Sequence, residues 1–157
     1  MGIKESVGQA IGDALERSRQ HLETIIESRL MRGEKVVAFQ LGETKAPFLI
    51  RIIPVIGALF GRAKIYLIAT TDRRILIIRL SRSLTKGHQF KELTASVPFS
   101  ELDGVEPSTG MLTSSITIRT KAGQAYHFVD MLKSAAEAFA RDVGLAARAF
   151  AAGTSKR

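Results

Sequence analysis

The N-terminal part of the chain carries apolar residues at the spacing of one helix face. They recur three or four positions apart at Ile3, Val7, Ile11, Leu15, Leu22, Ile25, Ile26 and Leu30. Gly33 follows this run closely and Arg29 and Arg32 flank its end, as is typical of a helix C-terminus. The pattern predicts an amphipathic helix from Ile3 to Met31, roughly 40 Å long at ~1.5 Å per residue. Such a helix exceeds what a small β domain needs as a cover, so part of it could contact another subunit.

After Gly33 the pattern changes to short β-rich runs separated by turn residues. Between residues 112 and 120, Leu112, Ile116 and Ile118 alternate with polar residues, as in a strand with one face in water. Residues 121–124 then have the composition of a hairpin turn. Six strands are expected, at Lys35–Leu41, Lys64–Thr71, Arg74–Leu80, Leu93–Phe99, Leu112–Thr120 and Ala125–Val129. Their spacing indicates an antiparallel sheet.

A second helical pattern lies near the C-terminus. Asp130 is a good N-cap residue, and the apolar positions after it share one face. These positions are Leu132, Ala135, Ala136, Phe139, Val143, Ala147 and Phe150. We expect a helix that covers the sheet, followed by a loose tail.

Several short runs in this β-rich part resemble a known family. Residues 68–77, IATTDRRILI, look like the "a-l-T-d-x-R-l-l" hairpin of bacterial pleckstrin-homology-like (PH-like) domains. Gly33-Glu34 resembles the residues that precede their first strand, and Val97–Val105 is similar to a later step between two strands. The resemblance covers about residues 33–150. Within the hairpin, Asp72 is expected to accept the amides that follow it and so fix the register of two strands.

The resemblance implies an α+β fold, a PH-like antiparallel β barrel or sandwich closed by a C-terminal α-helix, with an extra N-terminal helix outside the family pattern. We expect an amphipathic helix over residues 1–33, a PH-like domain over 34–151 and a flexible tail over 152–157. The fold also implies a binding module.

The sequence contains no recognisable catalytic or metal-binding motif. It has no cysteine, and its three histidines, His21, His88 and His127, lack the spacing of metal ligands. The acidic group Glu101, Asp103 and Glu106 lies in a predicted turn-rich connection, where carboxylates commonly cap and solvate. We therefore predict a non-enzymatic protein without a cofactor or a metal.

The net charge of +8 is concentrated between residues 35 and 92, which hold 11 basic and 3 acidic residues. A solvated basic face is the simplest interpretation, whereas concentration in one segment favours an anionic partner. In the family that the chain resembles, a lysine and a basic-x-arginine bind phosphoinositides, and Lys45 with Arg62-Ala63-Lys64 matches that pattern loosely. Because lysine replaces the final arginine, we expect nonspecific attraction to anionic lipid. The candidate residues are Lys45, Arg51, Arg62, Lys64, Arg73, Arg74, Arg82 and Lys86.

The segment 46–60 is almost wholly apolar but contains two prolines, a glycine and an arginine. It is too short to span a bilayer as a helix, which needs about 20 apolar residues. Three interpretations stay open: a part of the core, an oligomer contact, or a loop at the membrane interface. The resemblance adds that this connection between the first two strands often faces lipid in PH folds. The candidate membrane or partner contacts are Phe48, Leu49, Ile52, Ile53, Leu59 and Phe60.

Three functions follow from these observations. The first hypothesis is peripheral association with an anionic membrane surface through the basic residues and the apolar connection. The alternative is a homo-oligomeric scaffold or protein-interaction domain that uses the N-terminal helix. Nucleic-acid backbone binding is the third, disfavoured because the chain lacks tryptophan and any nucleic-acid motif. The N-terminal residues lack the apolar core of a signal peptide, so we expect a cytoplasmic protein, with the inner face of the membrane as its place of contact.

Overall fold

The computed structural model describes residues 3–44, 64–83, 86–111, 113–131 and 134–154. Two helices flank seven strands. The helices are α1 (Ile3–Glu27) and α2 (Ala135–Thr154). The strands are β1 (Val36–Glu43), β2 (Ile65–Thr71), β3 (Arg74–Ser83), β4 (Gly87–Pro98), β5 (Leu102–Thr109), β6 (Ser114–Thr120) and β7 (Ala125–Met131).

The strands form an antiparallel sheet in the order β4-β3-β2-β1-β7-β6-β5. In the described part of the chain, β1 and β7 pair only at Glu43 and Val129, and no pairing joins β4 to β5. The sheet therefore folds into two layers, β1–β4 and β5–β7, as a sandwich and not a closed barrel. Gly42 allows the layers to approach, because a Cβ at this position would lie 2.9 Å from Cβ of Phe128. The α+β class and the antiparallel sheet predicted from the sequence are confirmed.

Both faces of β2 and β3 are buried, which explains their nearly continuous apolar sequences. The inner face packs between the layers and against α2, through Ile68, Ile75, Ile77, Ile116, Ile118, Phe128, Phe139 and Val143. The outer face packs against the C-terminal half of α1, through Leu22, Ile25, Ile26, Leu67, Leu76, Ile78 and Leu80. The N-terminal helix that lay outside the family pattern is thus part of the hydrophobic core.

The preceding part of α1 has a different environment. Every residue from Gly12 to His21 is exposed, and Leu15 is 67% exposed. Leu15 nevertheless lies on the same helix face as Leu22 and Ile26, seven and eleven residues further along. The apolar face that packs on the sheet therefore continues beyond the sheet.

Several boundaries differ from the sequence predictions. The first helix ends at Glu27 and not at Met31, and β4 begins at Gly87 and not at Leu93. Asp130, predicted to begin the second helix, belongs instead to β7, which pairs with β6 as far as Met131, and α2 begins at Ala135. The predicted turn-rich connection around Asp103 and Glu106 is strand β5, which pairs with β6 at the border of the sheet.

Candidate functional site

The two ends of the β1–β4 layer differ in their chemistry. At one end β1 and β3 finish beside the starts of β2 and β4, since Ile65 pairs with Glu43 and Leu80, and Ser83 pairs with Gly87. The amide of Thr44 donates to the carbonyl of Lys64 at 3.1 Å there. We call this the loop end. The opposite, hairpin end carries the β2–β3 turn at Asp72 and Arg73, roughly 20 Å away along β2.

The predicted basic residues divide between these ends. Lys64 immediately precedes β2, Arg82 lies near the end of β3 and Lys86 immediately precedes β4, so the loop end gathers three exposed cations. Arg73 and Arg74 lie at the hairpin end. The remaining predicted residues lie outside the described part of the chain: Lys45, Arg51 and Arg62, with the apolar Phe48, Leu49, Ile52, Ile53, Leu59 and Phe60.

Arg74 is engaged within the fold. Its Nε and Nη2 atoms donate to the two carboxylate oxygens of Glu34 at 2.8 and 2.9 Å. Its Nη2 also donates to the carbonyl of Arg29 at 3.1 Å, and its Nη1 to the hydroxyl of Ser96 at 2.9 Å. The Arg74 side chain is 11% exposed and that of Glu34 is 0% exposed. Glu34 therefore neutralises the charge of Arg74 within the fold, and Arg74 presents little charge at the surface.

A wider hydrogen-bond network holds the hairpin end together. Glu34 also accepts the amide of Met31 and the hydroxyl of Thr71, each at 2.7 Å. Thr71 Oγ1 in turn accepts the amides of Arg73 and Arg74 at 3.1 Å. Asp72, predicted to accept these amides, instead accepts the amide of Lys35 at 3.0 Å. The network thus ties the link between α1 and β1 to the β2–β3 hairpin.

These contacts determine the protonation of Glu34. Burial raises the pKa of its carboxyl, but hydrogen bonds from Arg74, Met31 and Thr71 and the charge of Arg74 outweigh burial and lower the pKa to about 2, from 4.5. The charged form is therefore strongly favoured in the folded protein. At ~1.4 kcal/mol per pKa unit, this preference corresponds to about 3 kcal/mol.

Glu34 should make stability depend on pH under acid conditions. Because its pKa is lower in the folded state, its contribution is full above pH 4.5 and is lost as the pH falls toward about 2. Urea denaturation of the wild type and Glu34→Gln should therefore show a difference in unfolding free energy that shrinks across this interval. A difference that stays constant would contradict this assignment.

The loop end contains a cavity of about 250 Å³, lined by Leu41, Gly42, Glu43, Ile65, Arg82 and His88. Nε2 of His21, on α1, donates to the carbonyl of His88 at 2.6 Å. Burial, together with the charges of Arg82 and His21, lowers the pKa of the His88 imidazole. The position of His21 beside Arg82 and His88 could not be predicted from the sequence, because α1 and the β3–β4 turn are distant in the chain.

The other candidate chemical groups do not converge. Glu106 is paired with Arg119 at 3.3 Å, and His127 shares a hydrogen bond with Thr117 at 2.8 Å. Where the structure describes the chain, no group of histidine, aspartate and glutamate side chains could hold a metal ion. Nor does any helix in those ranges have the length and apolar character needed to cross a membrane.

The antiparallel sandwich with a covering C-terminal helix agrees with the arrangement expected from the sequence. No protein-family model and no curated protein sequence matches the chain. The fold is similar to the hSac2 domain from the human phosphoinositide phosphatase Sac2, with 13% identity, a TM-score of 0.50, and coverage of 86% of this chain and 83% of that domain. Another similar structure is a DUF1696 family protein with a pleckstrin-homology domain from Shewanella loihica PV-4, with 15% identity, a TM-score of 0.37, and coverage of 69% of this chain and 97% of that chain. At these identities the likeness concerns the fold alone.

Proposed function

We propose that this chain is a non-catalytic PH-like module that binds anionic membrane surfaces through its loop end. The observation that carries the proposal is the gathering of Lys64, Arg82 and Lys86 at one end of a sheet. The chain leaves that end at Thr44 and returns to it at Lys64, so the two described residues that flank the stretch containing the apolar 46–60 segment both lie at this end. On this proposal the chain is a bacterial PH-like domain that acts at the cytoplasmic face of the membrane.

The mechanism combines two additive contributions. Each lysine or arginine held near an anionic surface contributes about 1 kcal/mol. Lys45, Arg51 and Arg62, which lie between Thr44 and Lys64 in the sequence, would add to the three cations of the loop end. Apolar residues of the connection would enter the interface, with a gain that depends on buried area and not on salt. Since the attraction is screened within about 10 Å at 0.1 M ionic strength, the module should release from membranes as salt rises.

Vesicle sedimentation tests this function. The protein should pellet with phosphatidylglycerol–phosphatidylcholine vesicles at low salt, and the bound fraction should fall as salt is added. Pure phosphatidylcholine vesicles are the control and should retain little protein, because they offer only the apolar contribution. Equal binding to both vesicle types, or no binding to either, would contradict the proposal.

A homo-oligomeric scaffold is the second candidate, favoured by the exposed Leu15. This side chain continues the apolar face of α1 beyond the sheet, where a second copy could cover it. Solution mass measurement should then show an oligomer for the wild type and a monomer for Leu15→Glu. A monomeric wild type would exclude this candidate and leave the membrane proposal unaffected.

A further inference from the structure

Three elements bring ionisable side chains together at the loop end. Arg82 on β3 pairs directly with His88 on β4, so both side chains lie on the same face of the sheet. This is the face that α1 covers, because Leu80 and Phe90, two residues before Arg82 and after His88, belong to the cluster packed on α1. From α1, His21 reaches the backbone of His88. Arg82 and His88 border the 250 Å³ cavity, and His21 contacts the backbone of His88 beside it.

The remaining charged groups around the cavity are few in the described structure. Glu43 on β1 also lines it, but at ~4.8 Å per strand β1 is roughly 10 Å across the sheet from β3, which carries Arg82, and roughly 14 Å from β4, which carries His88. Lys86 lies in the turn that precedes His88. At the β3–β4 side of the cavity the described charged side chains are thus cationic or can become so. An anion bound at this side would lie closer to Arg82 and His88 than to Glu43.

This same environment lowers the pKa of the His88 imidazole. Burial and the charges of Arg82 and His21 disfavour the imidazolium. An anion beside His88 would offset these positive charges and favour the imidazolium again. Because linkage is reciprocal, protonation of His88 must then strengthen anion binding as much as the anion favours protonation.

We propose that His21, Arg82 and His88 form a protonatable subsite for the phosphate group of an anionic lipid, so that membrane binding takes up a proton at His88. This inference rests on the proposed membrane function and predicts how the affinity for membranes changes with pH. Protonation adds one positive charge to the loop end, which is expected to strengthen vesicle binding about fivefold. Affinity should therefore rise as the pH falls through the range in which histidine titrates.

The test uses the full chain with phosphatidylglycerol–phosphatidylcholine vesicles, because phosphatidylglycerol does not titrate near neutral pH. Partition is measured at about pH 5 and about pH 7.5, the first well below the ordinary histidine pKa because the pKa of His88 is lowered, at constant ionic strength. The wild type should bind about fivefold more tightly at the lower pH. His88→Gln should lose most of this difference, whereas His127→Gln, an exposed histidine of the other layer, should behave as the wild type.

His88→Lys provides a second variant whose charge is fixed across this range. It should bind at both pH values as tightly as the wild type does at the lower one. Wild-type binding that is independent of pH, or a pH dependence in His88→Gln as large as that of the wild type, would overturn the subsite while leaving the membrane function intact. Failure of all variants to bind at any pH would instead overturn the membrane function itself.

Inorganic phosphate distinguishes a lipid headgroup from a free anion. Nuclear magnetic resonance should show the pKa of His88 rising in the presence of phosphatidylglycerol vesicles and changing little with inorganic phosphate alone. If inorganic phosphate reproduces the full rise, the cluster serves a soluble phosphate and the assignment to lipid is overturned.

Discussion

Replacement of Arg74 by methionine is expected to destabilise the protein by about 3 to 5 kcal/mol, the usual cost of leaving one partner of a buried ion pair alone. The variant keeps the length of the side chain but removes both hydrogen bonds to the Glu34 carboxylate, which is 0% exposed. It also leaves the Arg29 carbonyl and the Ser96 hydroxyl without this donor. Urea denaturation monitored by circular dichroism measures the change.

The neighbouring arginine supplies the matched control. Arg73 is exposed at the same turn, so Arg73→Met should change stability by less than about 0.5 kcal/mol. Combining Arg74→Met with Glu34→Gln should recover part of the loss, because the unpaired charge is then removed. An Arg74→Met variant within about 1 kcal/mol of the wild type would contradict a structural role for the pair.

The two ends of the sheet have different roles, one in stability and the other in the proposed binding. At the hairpin end, Glu34 and Arg74 neutralise each other and join α1, β1 and the β2–β3 turn. The loop end instead keeps Lys64 and Arg82 exposed. Stability and the proposed binding therefore depend on different residues, which makes the two accounts separately testable.

Both helices and most strands could be predicted from the sequence because their apolar periodicity reflects real faces. In β6, Ser114, Ile116, Ile118 and Thr120 are buried while Ser115, Thr117 and Arg119 are more exposed, as alternation requires. β5 was missed because its sequence, LDGVEPST, contains residues that strands usually avoid. A border strand tolerates proline, since one side of its backbone needs no partner.

The site was harder to predict than the fold. Arg73 and Arg74 are close in sequence to Arg82 and Lys86, but an antiparallel hairpin places its turn at the opposite end from its strand termini. Strand boundaries alone could have revealed this division. The Glu34–Arg74 pair could not be read from the sequence, because 40 residues separate the partners and neither burial nor register is visible there.

The second large effect concerns membrane binding. Reversing Lys64 and Arg82 to glutamate removes two attractive charges from the loop end and adds two repulsive ones. At about 1 kcal/mol per charge, the loss is about 4 kcal/mol before salt screening, so binding to anionic vesicles should fall at least about tenfold. Both side chains are exposed, and the fold should therefore tolerate the change.

A control with the same net charge is available at the hairpin end. Arg73 and Lys121 are both exposed, and backbone hydrogen bonds from Phe99 to Arg73 and from Lys121 to Glu101 place them near each other. Arg73→Glu with Lys121→Glu lowers the net charge by the same amount as the loop-end double variant. Any effect of overall charge alone must therefore appear equally in both variants.

Sedimentation of these two double variants with phosphatidylglycerol–phosphatidylcholine vesicles at low salt tests the central claim most directly. The loop-end variant, Lys64→Glu with Arg82→Glu, should stay in the supernatant, whereas the hairpin-end variant should pellet nearly as well as the wild type. Equal loss of binding in both, or retention in both, would show that the loop end is not the membrane-binding surface.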